Sequence, residues 1–307
     1  DTVLGHSRGL QQVIQLARKV AVTDVPVLLT GETGTGKEVF AQAIHNGSAR
    51  AKQPFVAINC SAFSKELLES EIFGHKAGAF TGALKDKKGL FEEANHGTIF
   101  LDEIGEMAYG LQAKLLRVLE TGEYIKVGDT KPTKIDVRIV SATNRNLKEE
   151  IANSNFREDL YFRLSVFHLH LPPLRERRED IPELAAAFLK FFAAKMGKQV
   201  KGFAADCQAW MQSYAWPGNV RELRNVIERA LIICDDYITL DMPLDFRSST
   251  LSGSAADGDD FELAEAEHRH IQRVLQYTKG NKAEAARLLK IGLTTLYRKI
   301  EEYGINI

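Results

Sequence analysis

Apolar residues recur along this chain in two rhythms. Residues 10–22 carry Leu10, Val13, Ile14, Leu16, Ala17 and Val20 at helical spacing. Five short apolar runs, at 25–29, 55–59, 97–101, 137–143 and 166–171, have strand length. Helical patterns lie between them, for example over 111–119. Strands alternating with helices predict a parallel sheet covered by helices on both faces. From Pro172 the character changes: charge is dense over 175–180, then helical spacing runs through 181–195, 205–214 and 220–233 with no strand signal. This stretch predicts an all-helical subdomain. Residues 246–260 are rich in Ser, Gly and Asp, the composition of a flexible linker. Helical stretches are then predicted at 263–277, 280–289 and 293–303, with a tight turn at 290–292. The predicted division is an α/β unit over 1–172, a helical unit over 173–245, a linker over 246–261 and a small helical domain over 262–307.

Bulk properties narrow the class only a little. The 307 residues are 44% hydrophobic and 26% charged, ordinary for a globular protein. A formal net charge of -1 means that any attraction to nucleic acid must be local. Cys60, Cys207 and Cys234 lie far apart without metal-like spacing, and read as reduced thiols of a cytoplasmic protein. No apolar run is long enough to span a membrane, and no signal peptide is expected. The chain opens on Asp1, so a fragment lacking an N-terminal region is expected.

Chemistry concentrates at the strand ends. Gly31-Glu32-Thr33-Gly34-Thr35-Gly36-Lys37 follows the first strand run and precedes a helical pattern, the context that makes a G-x-x-x-x-G-K match credible as a phosphate-binding loop. The glycines let backbone N–H groups surround an anion, the helix N-terminus adds its dipole, and Lys37 adds a point charge. Glu38 stands where Ser or Thr usually ligates magnesium. In parallel sheets ligands sit at the carboxyl ends of strands. Asp102 and Glu103 end the third run, and Thr143-Asn144 the fourth. Asp102 suits a magnesium ion held against a nucleotide, Glu103 suits a base that activates water, and Thr143 or Asn144 suits a sensor of the terminal phosphate.

Near the other end, six Lys or Arg and one acidic residue, Glu284, lie between Lys279 and Lys299. Two short helices joined by a tight turn, carrying that basic patch, suggest a helix-turn-helix with a DNA footprint. Lys282, Thr294, Thr295, Tyr297, Arg298 and Lys299 are the candidate contacts.

Gly78-Ala79-Phe80-Thr81-Gly82-Ala83, after Glu71-Ile72-Phe73-Gly74-His75, resembles the signature loop of bacterial enhancer-binding proteins, the AAA+ ATPases that activate sigma-54 RNA polymerase. The resemblance covers essentially the whole chain. Residues 31–38, including Glu38, are similar to that family's Walker A pattern, and 98–103 to its Walker B. Asn59 stands where the family has an Asn that restrains the catalytic Glu, and Thr143-Asn144 resembles sensor I. Residues 156–164 resemble the segment with two arginine fingers, Arg157 and Arg163, and 216–223 resemble sensor II with Arg221. The last segment is similar to the family's Fis-type helix-turn-helix. Lys76 departs from a common Glu, Lys290 from the usual turn Gly, and Gly292 from a common Ser or Thr.

The resemblance implies an AAA+ fold with a helical lid, and an ATP- and Mg2+-dependent activator. It implies a ring, usually a hexamer, with fingers supplied by the neighbouring subunit. It implies upstream double-stranded DNA and sigma-54 RNA polymerase as partners, the latter meeting the 78–83 loop. Two other classes compete: a DNA-bound regulator that no longer remodels sigma-54, disfavoured by the whole signature loop, and a protein-unfolding machine, disfavoured by the DNA-binding tail.

Overall fold

The computed structural model describes residues 3–234, 236–239, 271, 274–275, 278 and 281–303. The chain divides into two compact units, Asp1–Leu244 and Asp245–Ile307.

The first unit is built on a five-stranded parallel sheet in the order β2-β3-β6-β1-β7. Its strands are β1 (Val27–Thr30), β2 (Phe55–Asn59), β3 (Thr98–Asp102), β6 (Arg138–Thr143) and β7 (Phe167–His170). The intervening helices are α1 (Arg8–Ala21), α2 (Lys37–Asn46), α3 (Lys65–Phe73), α4 (Leu90–Glu93), α5 (Tyr109–Thr121), α6 (Leu147–Ala152) and α7 (Glu158–Leu164). Side chains alternate across the strands and so build two cores. Leu28, Ile99 and Leu101 pack toward α3, α5 and α7. Val27, Leu29 and Phe100 pack toward α1 and α2. β6 is buried at every residue, as a central parallel strand should be. On α1, Leu10, Val13, Ala17 and Val20 form the buried stripe, whereas Leu16 falls off that face and is exposed.

All five strand runs form strands, 55–59 with both ends as expected and the others with one or both ends shifted by one or two residues. The apolar pattern does not signal the antiparallel pair β4 (Glu123–Ile125) and β5 (Pro132–Lys134). Each has three residues and little alternation, and loop 126–131 between them packs beside the 78–83 loop.

The lid contains α8 (Ile181–Met196), α9 (Ala205–Ser213) and α10 (Asn219–Ile233). A two-residue parallel pair, β8 (Gly202–Phe203) with β9 (Tyr237–Ile238), adds a small exception to its helical character, too short for periodicity to register. Trp216 is fully buried and its indole N–H donates to the Met211 carbonyl at 2.7 Å.

In the second unit, helix Lys282–Leu288 is capped by Asn281, whose side-chain oxygen accepts from the Glu284 N–H. Helix Leu293–Glu302 follows. Ile271, Leu275, Ala285, Ala286 and Leu296 form its core. The expected linker over 246–260 lies outside the described residues, as does most of the expected helix over 263–277.

Candidate functional site

The strand order places the ends of β1, β3 and β6 side by side, so the groups that follow them share one edge. The phosphate loop leaves β1 and runs directly into α2, whose first residue is Lys37. Gly36 sits at φ 103, a conformation that a side chain would strain. At Gly34 the reason is space: a Cβ there would lie 2.3 Å from the Gly218 carbonyl oxygen. The Lys37 ammonium is held by the carbonyls of Gly31 at 3.0 Å and Glu32 at 3.1 Å. Burial pushes its pKa down, while the nearby Glu103 and Asp102 carboxylates act in the opposite direction.

A cavity of about 400 Å³ brings together Thr33, Gly34, Gly36, Lys37, Glu38, Asn59, Asp102, Glu103, Arg221 and Arg224. Glu103 adopts a left-handed φ of 51°, a strained conformation of the kind that collects at functional sites. Its carboxylate lies 3.4 Å from the Asn144 N–H, and the Asn144 amide donates to the Thr33 hydroxyl at 3.0 Å. The end of β6 therefore touches both the acidic pair and the phosphate loop.

Asn59, Glu32, Arg157 and Arg163 each hold side-chain partners of their own. Asn59 lines the cavity together with Glu103, and its side-chain oxygen accepts from the Ser61 N–H at 2.8 Å and hydroxyl at 2.7 Å. The Glu32 side chain faces the lid, paired through both oxygens with Arg175, which holds its carboxyl below the usual range. Any contact of Glu32 with phosphate falls to its backbone. Arg157 and Arg163 are outside the cavity. Arg157 is the N-cap residue just before α7, bound to Asp159 at 3.0 and 2.7 Å and placed over the Tyr109 ring at 5.6 Å. Its N–H is fixed by Gln112, a fully buried side chain. Arg163 lies 3.7 Å from Glu120.

Sequence reasoning missed Arg224 and Asn219. Arg224 stands one helical turn beyond Arg221 and lines the same cavity, which the i, i+3 spacing could have revealed. Asn219 was within the recognised 216–223 segment but carried no charge to attract notice. Cys60 is buried beside the acidic pair, and burial together with Asp102 and Glu103 pushes its thiol up to about 12.

The 78–83 loop is the tip of a hairpin closed by the His75–Lys87 bridge. The Gly78 N–H donates to the Ala83 carbonyl at 2.7 Å and the Ala83 N–H to the Phe80 carbonyl at 3.0 Å. Phe80 leans edge-on against the His75 ring, with centroids 4.9 Å apart, and is 45% exposed. Thr81 is exposed too, whereas Ala83 is buried and closes the loop. Ala79 packs against Gly128 of loop 126–131, where a Cβ would approach within 2.6 Å.

In the second unit Thr294, Tyr297 and Arg298 are exposed, Thr295 and Lys299 half-buried. The Lys282 ammonium sits 5.2 Å from the Tyr297 ring centroid, which joins the two helices' candidate contacts into one surface. Lys290 occupies the turn at a left-handed φ of 54°, where glycine would be unstrained.

A phosphate loop, an acidic strand end and a lid arginine on one parallel sheet define an AAA+ nucleotide-binding domain. The comparisons give the family. Residues 3–170 match the Sigma-54 interaction domain, 175–257 the AAA+ ATPase lid domain and 262–303 the bacterial regulatory protein, Fis family. The chain belongs to the bacterial enhancer-binding proteins, the sigma-54-dependent transcriptional activator family. It is 46% identical to the alginate biosynthesis transcriptional regulatory protein AlgB of Pseudomonas aeruginosa, over 99% of this chain and 68% of that protein. It is 41% identical to the DNA-binding transcriptional regulator NtrC of Escherichia coli, over 99% of this chain and 70% of that protein. The structure of NtrX from Brucella abortus in complex with ATP superposes with a TM-score of 0.77 at 34% identity, covering 99% of this chain and 70% of NtrX.

Among the described residues no helix is long and apolar enough to cross a membrane.

Proposed function

We propose that this chain assembles into a ring, hydrolyses ATP between subunits, and uses the hydrolysis to move the 78–83 loop against sigma-54 RNA polymerase so that promoter DNA opens. The observation that carries the reading is the cavity in which Lys37, Asp102, Glu103 and Arg221 converge. ATP binding is supported by the likeness to NtrX, whose ATP complex has the same fold.

Lys37 and the loop N–H groups hold the outer phosphates. Glu103 takes the proton of the attacking water, and Asn144, lying between Glu103 and Thr33, responds to the terminal phosphate. The oxygen donors of Asp102 and Glu38 at the cavity fit a hard divalent cation. Mg2+ held there would neutralise phosphate charge. Arg221 from the lid senses the nucleotide. Arg157 and Arg163 lie outside their own chain's cavity, which suits fingers that reach a neighbour's phosphate. Phe80 and Thr81 offer the exposed side chains for the sigma-54 contact, and Lys282, Thr294, Thr295, Tyr297, Arg298 and Lys299 meet DNA upstream. The whole acts in the cytoplasm.

A promoter-opening assay with sigma-54 polymerase and a bound upstream site tests this. Opening with ATP, and none with a non-hydrolysable analogue, is expected. ATP turnover without opening would point instead to a regulator that does not remodel sigma-54.

A further inference from the structure

The phosphate loop is held from behind by the lid, and the residue at the centre of that contact is Asn219. Asn219 is fully buried at a left-handed φ of 53°. Its side-chain oxygen accepts from the Leu174 N–H at 2.7 Å. Its amide donates to the Thr33 carbonyl at 3.0 Å and to the Glu32 carboxylate at 3.1 Å. Neighbouring contacts act in the same direction. The Arg177 guanidinium, itself buried, donates to the Thr35 carbonyl at 2.9 Å. The Arg221 N–H donates to the Gly34 carbonyl at 3.3 Å. Arg175 donates to both oxygens of the same Glu32 carboxylate, at 2.8 and 2.6 Å.

Peptide geometry turns these contacts into a statement about phosphate binding. In a planar trans peptide the C=O of one residue and the N–H of the next point in opposite directions. A donor that holds the Thr33 carbonyl toward the lid therefore aims the Gly34 N–H away from it, and Arg177 at the Thr35 carbonyl does the same for the Gly36 N–H. Inward-facing N–H groups of successive residues are what make such a loop an anion cradle.

We propose that Asn219 is a positioning residue for the nucleotide site: its amide sets the orientation of the phosphate-loop peptides and ties that orientation to the position of the lid. This rests on the nucleotide reading above. The contact is chemically directional. An aspartate there keeps size and shape and the acceptor for Leu174, but turns a carboxylate oxygen onto the Thr33 carbonyl and the Glu32 carboxylate. A glycine keeps the left-handed backbone and removes the contacts without repulsion.

The test is equilibrium binding of a fluorescent ADP analogue to the full chain, with thermal melting alongside. Asn219→Gly is expected to bind about tenfold more weakly, the scale of losing buried hydrogen bonds. Asn219→Asp is expected to bind more weakly still, despite being the closest in shape. Asn219→Asp with Glu32→Gln should recover part of that loss, because the new amide can donate to the aspartate. A purely structural role makes binding fall only as the folded fraction falls, so that both single variants, compared well below their melting temperatures, bind within twofold of the parent, and that result overturns the proposal. If the parent chain itself binds no nucleotide, the nucleotide reading fails and this inference falls with it, an outcome distinct from parent and variants binding alike.

Discussion

Lys76 reaches across the base of the signature loop to Asp86, with Nζ and Oδ2 2.8 Å apart. Asp86 also accepts from the Ala77 N–H at 2.9 Å. The pairing raises the Lys76 pKa and lowers that of Asp86, each chiefly through the shared hydrogen bond. Lys76 replaces the Glu common in the family, and here its partner is acidic. Lys76→Glu puts two carboxylates together and is expected to lower promoter opening about two- to fivefold, the scale of an exposed ion pair. Lys76→Glu with Asp86→Lys should restore it, and both effects should shrink at high salt. A double variant no better than Lys76→Glu would show that the pair does not set the loop.

Glu103→Gln should keep nucleotide binding and lose at least about 100-fold in hydrolysis, the usual contribution of a positioned base. Lys37→Ala should lose the nucleotide itself. Direct binding and steady-state turnover separate the two, and normal turnover by Glu103→Gln would remove it as the base.

Arg157 and Arg163 should act in trans. An Arg157→Ala subunit keeps an intact phosphate loop, and a Lys37→Ala subunit keeps intact fingers. Mixed rings should regain part of the ATPase that each lacks alone, since a finger is worth about a thousandfold or more. No recovery in rings shown to be mixed would argue that the fingers serve their own chain.

Arg298→Ala should weaken binding to a specific upstream site about tenfold while ATPase at high protein concentration stays near normal. Gel-shift titration and turnover assays read the two effects. Undiminished binding would take Arg298 off the contact surface.

Much of this was legible from residue order because the fold repeats simple rules. The central runs β1, β3 and β6 are buried on both faces and read as blocks, the edge runs β2 and β7 less so, and the chemistry follows at the carboxyl ends, as at Asp102 and Asn144. What escaped was set by partners distant in sequence. Asn219 and Glu32 are 187 residues apart, and neither residue type announces the other. The Asn59 side-chain oxygen is engaged by the Ser61 N–H, a local bond that residue type alone does not signal. The β4–β5 pair was hidden by its length. Lys290 at a left-handed φ shows that a turn can be made without its usual glycine when the flanking helices pack through Ala285, Ala286 and Leu296.

The most direct test of the central claim, that the loop converts hydrolysis into promoter opening, is to measure ATPase and opening together in Phe80→Ala and Thr81→Ala. Phe80 is 45% exposed at a hairpin tip, outside the cavity that holds Lys37 and Glu103. Losing a buried aromatic contact with a partner costs about 2 kcal/mol or more, enough to break a transient complex. The account predicts near-normal ATPase and DNA binding, with loss of both the transition-state-analogue complex with sigma-54 and open promoters. Opening at the parent rate by either variant would contradict it.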